Sequence, residues 1–193
     1  MKLNIWRVAA FFLLIALSIG FGFAFDAAAT ALERQRYPRA EEYTELVSHY
    51  AEKYAIPEAV VWATIKTGSN FASNAVSQNG AVGLMQLTPA RFDFIFRELL
   101  GRESPESGLL YDPETNLEAG CAWLSYLYDR YLVWDLVFAA YHTDTDTVDG
   151  WLTDPDCIDE SGILVRIPDP EAKSYMNTME KTVTLYRELY YEP

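Results

Sequence analysis

Basic residues are scarce in this chain. Across 193 residues, 15 Lys and Arg face 28 Asp and Glu, and His occurs only twice. Without clustered Lys and Arg the chain cannot neutralise a phosphate backbone, which argues against nucleic acid as a partner. The same shortage argues against adhesion of the globular part to anionic lipid headgroups. Two Cys and two His form no cluster at metal-ligand spacing, and neither a metal nor a cofactor is implied. No alternating apolar–polar run is long enough for a convincing strand, and no repeat or low-complexity tract appears.

Acid is missing from one place in particular. Residues 1–25 contain Lys2 and Arg7 but no Asp or Glu, so the remainder holds 28 acids against 13 bases, a net charge of −15. The run VAAFFLLIALSIGFGFAF, residues 8–25, is 18 residues without a charge, close to the minimum for a spanning helix. Lys2 and Arg7 precede it and Asp26 follows, which keeps the N-terminus cytoplasmic and exports the rest. The alternative is a cleaved signal peptide, for which DAAATA offers small residues. Against it, the run is long for a signal segment and lacks a polar stretch before Asp26. The expected organisation is an anchor at 1–25, a juxtamembrane stalk at 26–36 and a domain at 37–193.

What is present is apolar and helical. Half the residues are hydrophobic, enough for a packed core. Tyr43, Leu46, Val47, Tyr50 and Tyr54 share one face at helical spacing, as do Leu117, Gly120, Cys121, Leu124, Leu127 and Tyr131. Pro57 and Thr88-Pro89 suit helix starts, and the tail from Pro168 reads as a last amphipathic helix. Gly68 is placed to cap the helix PEAVVWATIKT, and Gly101 to stop PARFDFIFRELL. The fold class expected is all-α, with a small irregular or β-like excursion between Phe71 and Thr88. Export permits a Cys121–Cys157 disulfide, while the apolar helical setting of Cys121 suits a free thiol.

Two polar inserts interrupt the apolar pattern. In VSQNGAVGLMQL, two glycines three apart make a tight turn or let backbone amides approach a ligand. Gln86 there serves either as a core amide or as a pocket-lining group. In TDTDTVDGWL, Asp144, Asp146 and Asp149 suggest a calcium loop, but the fifth position from Asp144 is Val148 and the twelfth is Pro155. A solvated turn is the better expectation.

The blocks YAEKYAIPEAVVWATIKTGSNF, AVSQNGAVGLMQLTP, YDPETNLEAGCAWLSYLYDRY and IPDPEAKSYMNTM resemble, in order and spacing, the lytic transglycosylases related to the soluble type. GAVGLMQLTP is the strongest marker, and the likeness covers Tyr37 to Tyr190. The resemblance implies a helical, goose-lysozyme-like domain with a groove for the peptidoglycan glycan strand. It implies cleavage between N-acetylmuramic acid and N-acetylglucosamine, leaving a 1,6-anhydro sugar. A single glutamate protonates the leaving oxygen, then removes a proton from the sugar's own 6-hydroxyl. Taken with the charge-free run, the expectation is a bacterial single-pass membrane protein with the domain outside the cytoplasm, secreted if the anchor is cleaved. Other cell-wall enzymes are candidate partners.

The departures fall on the chemistry. The family pattern KTESNF reads KTGSNF here, so Gly68 stands at the glutamate's position and no catalytic residue is assigned. The pattern AYNAG reads AYHTD, with an Asp144 that strains the turn if it needs positive φ. Ser69, Ser77, Gln86, Thr88, Tyr141 and His142 match cleft positions and are the expected substrate-binding set. A kept scaffold with altered catalytic blocks is the pattern of a pseudoenzyme. The alternatives are an active transglycosylase using His142 or Asp144, and a scaffold whose groove binds a cell-wall protein. Imidazole ordinarily titrates near neutral pH and can donate a proton.

Overall fold

The charge-free run at the N-terminus is part of one uninterrupted helix, α1 (Ile5–Arg36), in the computed structural model, which describes residues 5–192. Within it, Phe11–Arg36 is long and apolar enough, by length and composition, to cross a membrane. The helix does not break at Asp26; the expected stalk continues it and places Arg34 and Arg36 in the last turn, where cations complement the helix C-terminus. Lys2 and the rest of the first four residues of the expected anchor lie outside the described residues. The chain divides into two compact units, one up to Pro38 and the other Arg39–Pro193.

The second unit is helical, as expected, with no strand among the described residues. A 3-10 turn (Glu41–Tyr43), whose Tyr43 is buried, leads into α2 (Thr44–Lys53), which buries Val47, Tyr50 and Ala51. α3 (Glu58–Ser69) buries Ala59 through Ile65 without interruption. A helix apolar all round is stable only when surrounded, so α3 is central. α4 (Pro89–Phe94) runs on into a π-helical turn (Ile95–Leu99) and ends before Gly101, at φ +61°. A 3-10 turn (Ser107–Tyr111) precedes the second core helix, α5 (Pro113–Tyr131), which buries Asn116 through Leu124. Then come α6 (Trp134–His142), α7 (Thr145–Thr153) and α8 (Pro170–Tyr190). α8 packs on both α3 and α6, and Trp62 of α3 stacks on Tyr186 of α8 with ring centroids 6.5 Å apart.

Three of these helices start at a Thr-Pro or Asp-Pro step. Thr88, Asp112 and Asp169 each accept a bond from an amide in the first turn, satisfying a donor with no intrahelical partner. The prolines sit at the first helical position, where a missing N–H costs nothing. Between α3 and α4 the chain makes only isolated antiparallel bridges, Val76 with Val82 and Val82 with Leu87. This is the irregular excursion the sequence suggested.

Two local readings of the sequence are corrected. Gly68 is not the cap of α3: the helix continues through Ser69, and Asn70 takes the left-handed cap at φ +48°. Asn tolerates that conformation, and its side chain accepts a bond from Lys66 Nζ at 2.6 Å. The segment after His142 is not a solvated turn. Asp144 caps α7 by accepting from the Thr147 N–H at 2.7 Å. Its backbone is extended at φ −160°, so the Asp at this position imposes no strain. Cys121 and Cys157 are both buried and free.

One ion cluster ties α5 to its surroundings. Glu118 is nearly buried, and it accepts from Lys53 Nζ at 2.6 Å, Arg102 at 2.8 Å and the Tyr54 hydroxyl at 3.3 Å. Burial pushes its carboxyl pKa up, but the hydrogen bonds from Lys53 and Arg102 outweigh that and hold it below the ordinary value.

Candidate functional site

The loop before α4 is built backward from an asparagine that faces no solvent. Asn116, in the first turns of α5, has every polar atom of its side chain engaged. Its Oδ1 accepts from the Met85 N–H at 2.8 Å, and its Nδ2 donates to the Leu110 and Val82 carbonyls at 2.9 and 3.1 Å. The Val82–Met85 backbone is thereby pinned to α5. Gly83 sits inside this clamp at φ +83°, where a β-carbon would overlap the Asn116 amide and the Leu110 carbonyl. Met85 is fully buried against Gly120 of α5, where a β-carbon would strike its sulfur. The next residue, Gln86, is held in the left-handed region at φ +52°.

These anchors form one wall of a cavity of about 310 Å³. α3 contributes Thr64 and Gly68, the loop Ser77, Asn79 and Gln86, and the start of α4 Thr88 and Arg91. α6 supplies Tyr141 and His142, and α8 supplies Tyr175. Five of the six expected site residues therefore come together here. Ser69 does not: it is buried, and its hydroxyl donates to the Ile65 carbonyl at 3.1 Å. Ser77 shapes a tight turn, its Oγ accepting from the Ala81 N–H at 3.0 Å. Gln86 is both core amide and lining residue, since its Nε2 donates to the Gly83 and Ala75 carbonyls at 2.9 and 3.2 Å.

The far wall is equally constrained. The Tyr141 hydroxyl donates to the Met85 carbonyl at 2.7 Å, and burial raises its pKa well above the ordinary phenol value. Arg91 donates to the Tyr141 and Thr143 carbonyls, both at 2.8 Å, and lies over the Trp123 ring at 5.2 Å. Burial lowers its pKa, while Tyr141, Asp144 and Tyr175 pull it back. His142 is exposed and stacks on Tyr175, with centroids 4.7 Å apart and planes 18° from parallel. Burial raises the Tyr175 pKa too. Both phenols therefore stay protonated at neutral pH and are weaker acids than usual.

Among the described residues, no carboxylate lines this cleft. Asp144 lies outside the lining, and its carboxylate is engaged at the α7 cap. Gly68 is exposed to the cleft with a helical backbone, and a β-carbon there would stand 3.1 Å from Gln86 Cγ. Sequence reasoning missed Thr64, Asn79, Arg91 and Tyr175 as lining residues, along with the supporting Asn116. Arg91 bonds to a turn some 50 residues away, and no local pattern announces that.

Comparison with known proteins bears on the family. The chain is 40% identical over 97 residues to the membrane-bound lytic murein transglycosylase C of Yersinia enterocolitica, covering 49% of this chain and 26% of that protein. Its counterpart in Yersinia pestis is 38% identical over 95 residues. The chain thus spans about a quarter of the length of the curated relatives it matches. Among solved structures, the 70 kDa soluble lytic transglycosylase of Escherichia coli superposes with a TM-score of 0.74 at 26% identity, over 83% of this chain and 26% of that one. An inactive glutamate-to-glutamine mutant of the Pseudomonas aeruginosa lytic transglycosylase Slt superposes with a TM-score of 0.69 at 26% identity, over 80% of this chain and 25% of that one. The transglycosylase SLT domain matches residues 45–157, more than half of the chain, from α2 through α7. The chain therefore belongs to the transglycosylase SLT domain family.

Proposed function

We propose that the protein is a membrane-anchored, catalytically impaired member of this family, whose cleft binds the glycan strand of peptidoglycan without efficient cleavage. α1 supplies the anchor, with the domain outside the cytoplasm at the bacterial cell membrane. The observation that carries the reading is the cleft with Gly68 in its wall and, among the described residues, no carboxylate in its lining. Transglycosylation needs one group that first gives a proton to the glycosidic oxygen and then takes one from the 6-hydroxyl. Neither raised-pKa tyrosine can serve as that base, and Arg91 cannot be deprotonated. Losing a general acid–base costs about 10²- to 10⁴-fold. The inactive Pseudomonas mutant supports the reading, because there one carboxylate replaced by its amide accompanies loss of activity. Ser77, Gln86, Thr88, Tyr141 and His142 would hold the strand.

A competing reading rests on His142, which lines the same cleft, as an imidazole that replaces the missing acid. One experiment separates the two. The full-length protein and its Gly68→Glu variant are incubated with purified peptidoglycan, and released anhydro-muropeptides and cosedimentation with the polymer are measured. The expected result is cosedimentation by both proteins, with turnover only in Gly68→Glu. Robust turnover by the unaltered chain, abolished by His142→Ala, overturns the reading. Absence of both cosedimentation and rescue points instead to a scaffold for a cell-wall protein.

A further inference from the structure

A second concavity of this unit lies away from the cleft. A groove of about 710 Å³ runs between the first turn of α3, the start of α6 and the last turns of α8. Its floor is apolar and aromatic: Val60, Trp134, Phe138 and Val183, with the Trp134 and Phe138 rings stacked at 5.6 Å. Its rim is acidic, with Glu58, Asp135 and Glu180. Glu58 accepts from the Tyr191 hydroxyl at 2.7 Å, whereas Asp135 and Glu180 are exposed and have no partner among the described residues. The one base in the lining, Arg187, is paired with Glu192. The groove therefore presents a negative rim around an aromatic floor.

A second, independent observation lies beside it in the chain. Leu132 and Val133, directly before Trp134, are 69% and 51% exposed. Leu132 also takes the left-handed cap of α5 at φ +58°, a position that favours glycine or asparagine. In the isolated domain, an exposed leucine held in a strained conformation gains nothing from burial. A partner that covers the groove and reaches past Trp134 would bury it.

We propose that this groove is a docking site for a basic amphipathic helix of a partner protein. The helix would lay an apolar face of about two turns on Trp134, Phe138 and Val183, with flanking Lys or Arg opposite Asp135 and Glu180. Charge complementarity selects this occupant: an acidic rim repels an acidic segment and steers a basic one. The groove would take this helix whatever the cleft binds.

The test uses the full-length protein in zwitterionic-lipid nanodiscs, with empty nanodiscs as the blank. The probe is a fluorescein-labelled Leu/Lys peptide of about four helical turns, read by fluorescence anisotropy. The expected result is saturable binding that weakens about tenfold in the double variant Asp135→Lys, Glu180→Lys, and by a similar factor when salt rises from about 0.05 to about 0.5 M. The same peptide with Glu in place of Lys should not bind. Both substituted side chains are exposed, and unchanged circular dichroism confirms that the variant is folded. A photo-crosslinker on the peptide's apolar face should label the segment containing Trp134. No saturable binding below about 1 mM, equal binding of the acidic peptide, or unchanged affinity in the double variant overturns the proposal. Displacement of the peptide by chito-oligosaccharides makes the groove a glycan site and overturns it as well.

Discussion

Asn116→Ala tests whether the cleft is held in place from α5. Removing the side chain leaves the buried Met85 N–H without its acceptor and the Leu110 carbonyl without its Asn116 donor. The Val82 carbonyl still accepts from Leu87 at 3.0 Å. Each orphaned buried group costs about 1–3 kcal/mol, and the vacated amide adds roughly 1 kcal/mol of cavity. The expected loss is therefore about 3–7 kcal/mol, a large share of the ~5–15 kcal/mol that stabilises a typical domain. Urea unfolding of the full chain, followed by circular dichroism, measures it. Asn116→Asp refines the test. One carboxylate oxygen keeps the Met85 bond, but the other must face two carbonyls, and only the protonated acid offers a donor, to one of them. Its folded pKa must lie above the unfolded value of about 3.9, so its stabilising contribution is present below that value and lost as pH rises through the folded pKa. Relative to the unaltered chain, the Asp variant should lose more stability at pH 7 than at pH 4. A loss under about 1 kcal/mol in Asn116→Ala, or a constant Asp deficit across that range, would refute the account.

Three further outcomes follow from other contacts. Gly120→Ala drives a β-carbon into Met85 and should cost about 1–3 kcal/mol by overpacking, read as a lower Tm and partly recovered by Met85→Ala. Glu118 has a lowered pKa, so its contribution is present above the ordinary carboxyl value of 4.5 and is lost as pH falls through the folded value. Glu118→Gln should therefore flatten the acid limb of the stability profile in urea melts between pH 5 and pH 2. Leu132→Gly relieves the left-handed leucine and should raise stability by about 0.5–1 kcal/mol in thermal unfolding, while weakening binding of the basic peptide.

The sequence carried the helices well, because the buried faces of α2 and α5 repeat at 3.6 residues and nothing in the tertiary structure overrides them. It was weaker at helix ends. Gly68 and Asn70 are both plausible caps two residues apart, and only the backbone angle at Asn70 decides between them. At Asp144 the signal was present, since a capping residue precedes an apolar repeat through Val148 and Trp151; the neighbouring aspartates obscured it. The cleft was legible where one contiguous motif supplies it, from Ser77 to Thr88. Asn116 and Arg91 were not legible, because a buried asparagine inside NLEAG looks like any polar helix residue, and Arg91 acts on a distant turn. Ser69 stands outside the cleft lining because adjacent helical positions point about 100° apart, so the neighbour of a cleft residue need not face the cleft.

α3 has one more consequence. Val60, Thr64 and Gly68 fall at intervals of four along it, so they occupy the same face. Val60 borders the large groove, while Thr64 and Gly68 border the cleft. The span from the first to the last is about 12 Å at 1.5 Å per residue. A partner seated in the groove and a glycan lying in the cleft would press on opposite ends of the same helix. If occupying one shifts α3 enough to change affinity at the other, the reverse effect must have the same magnitude.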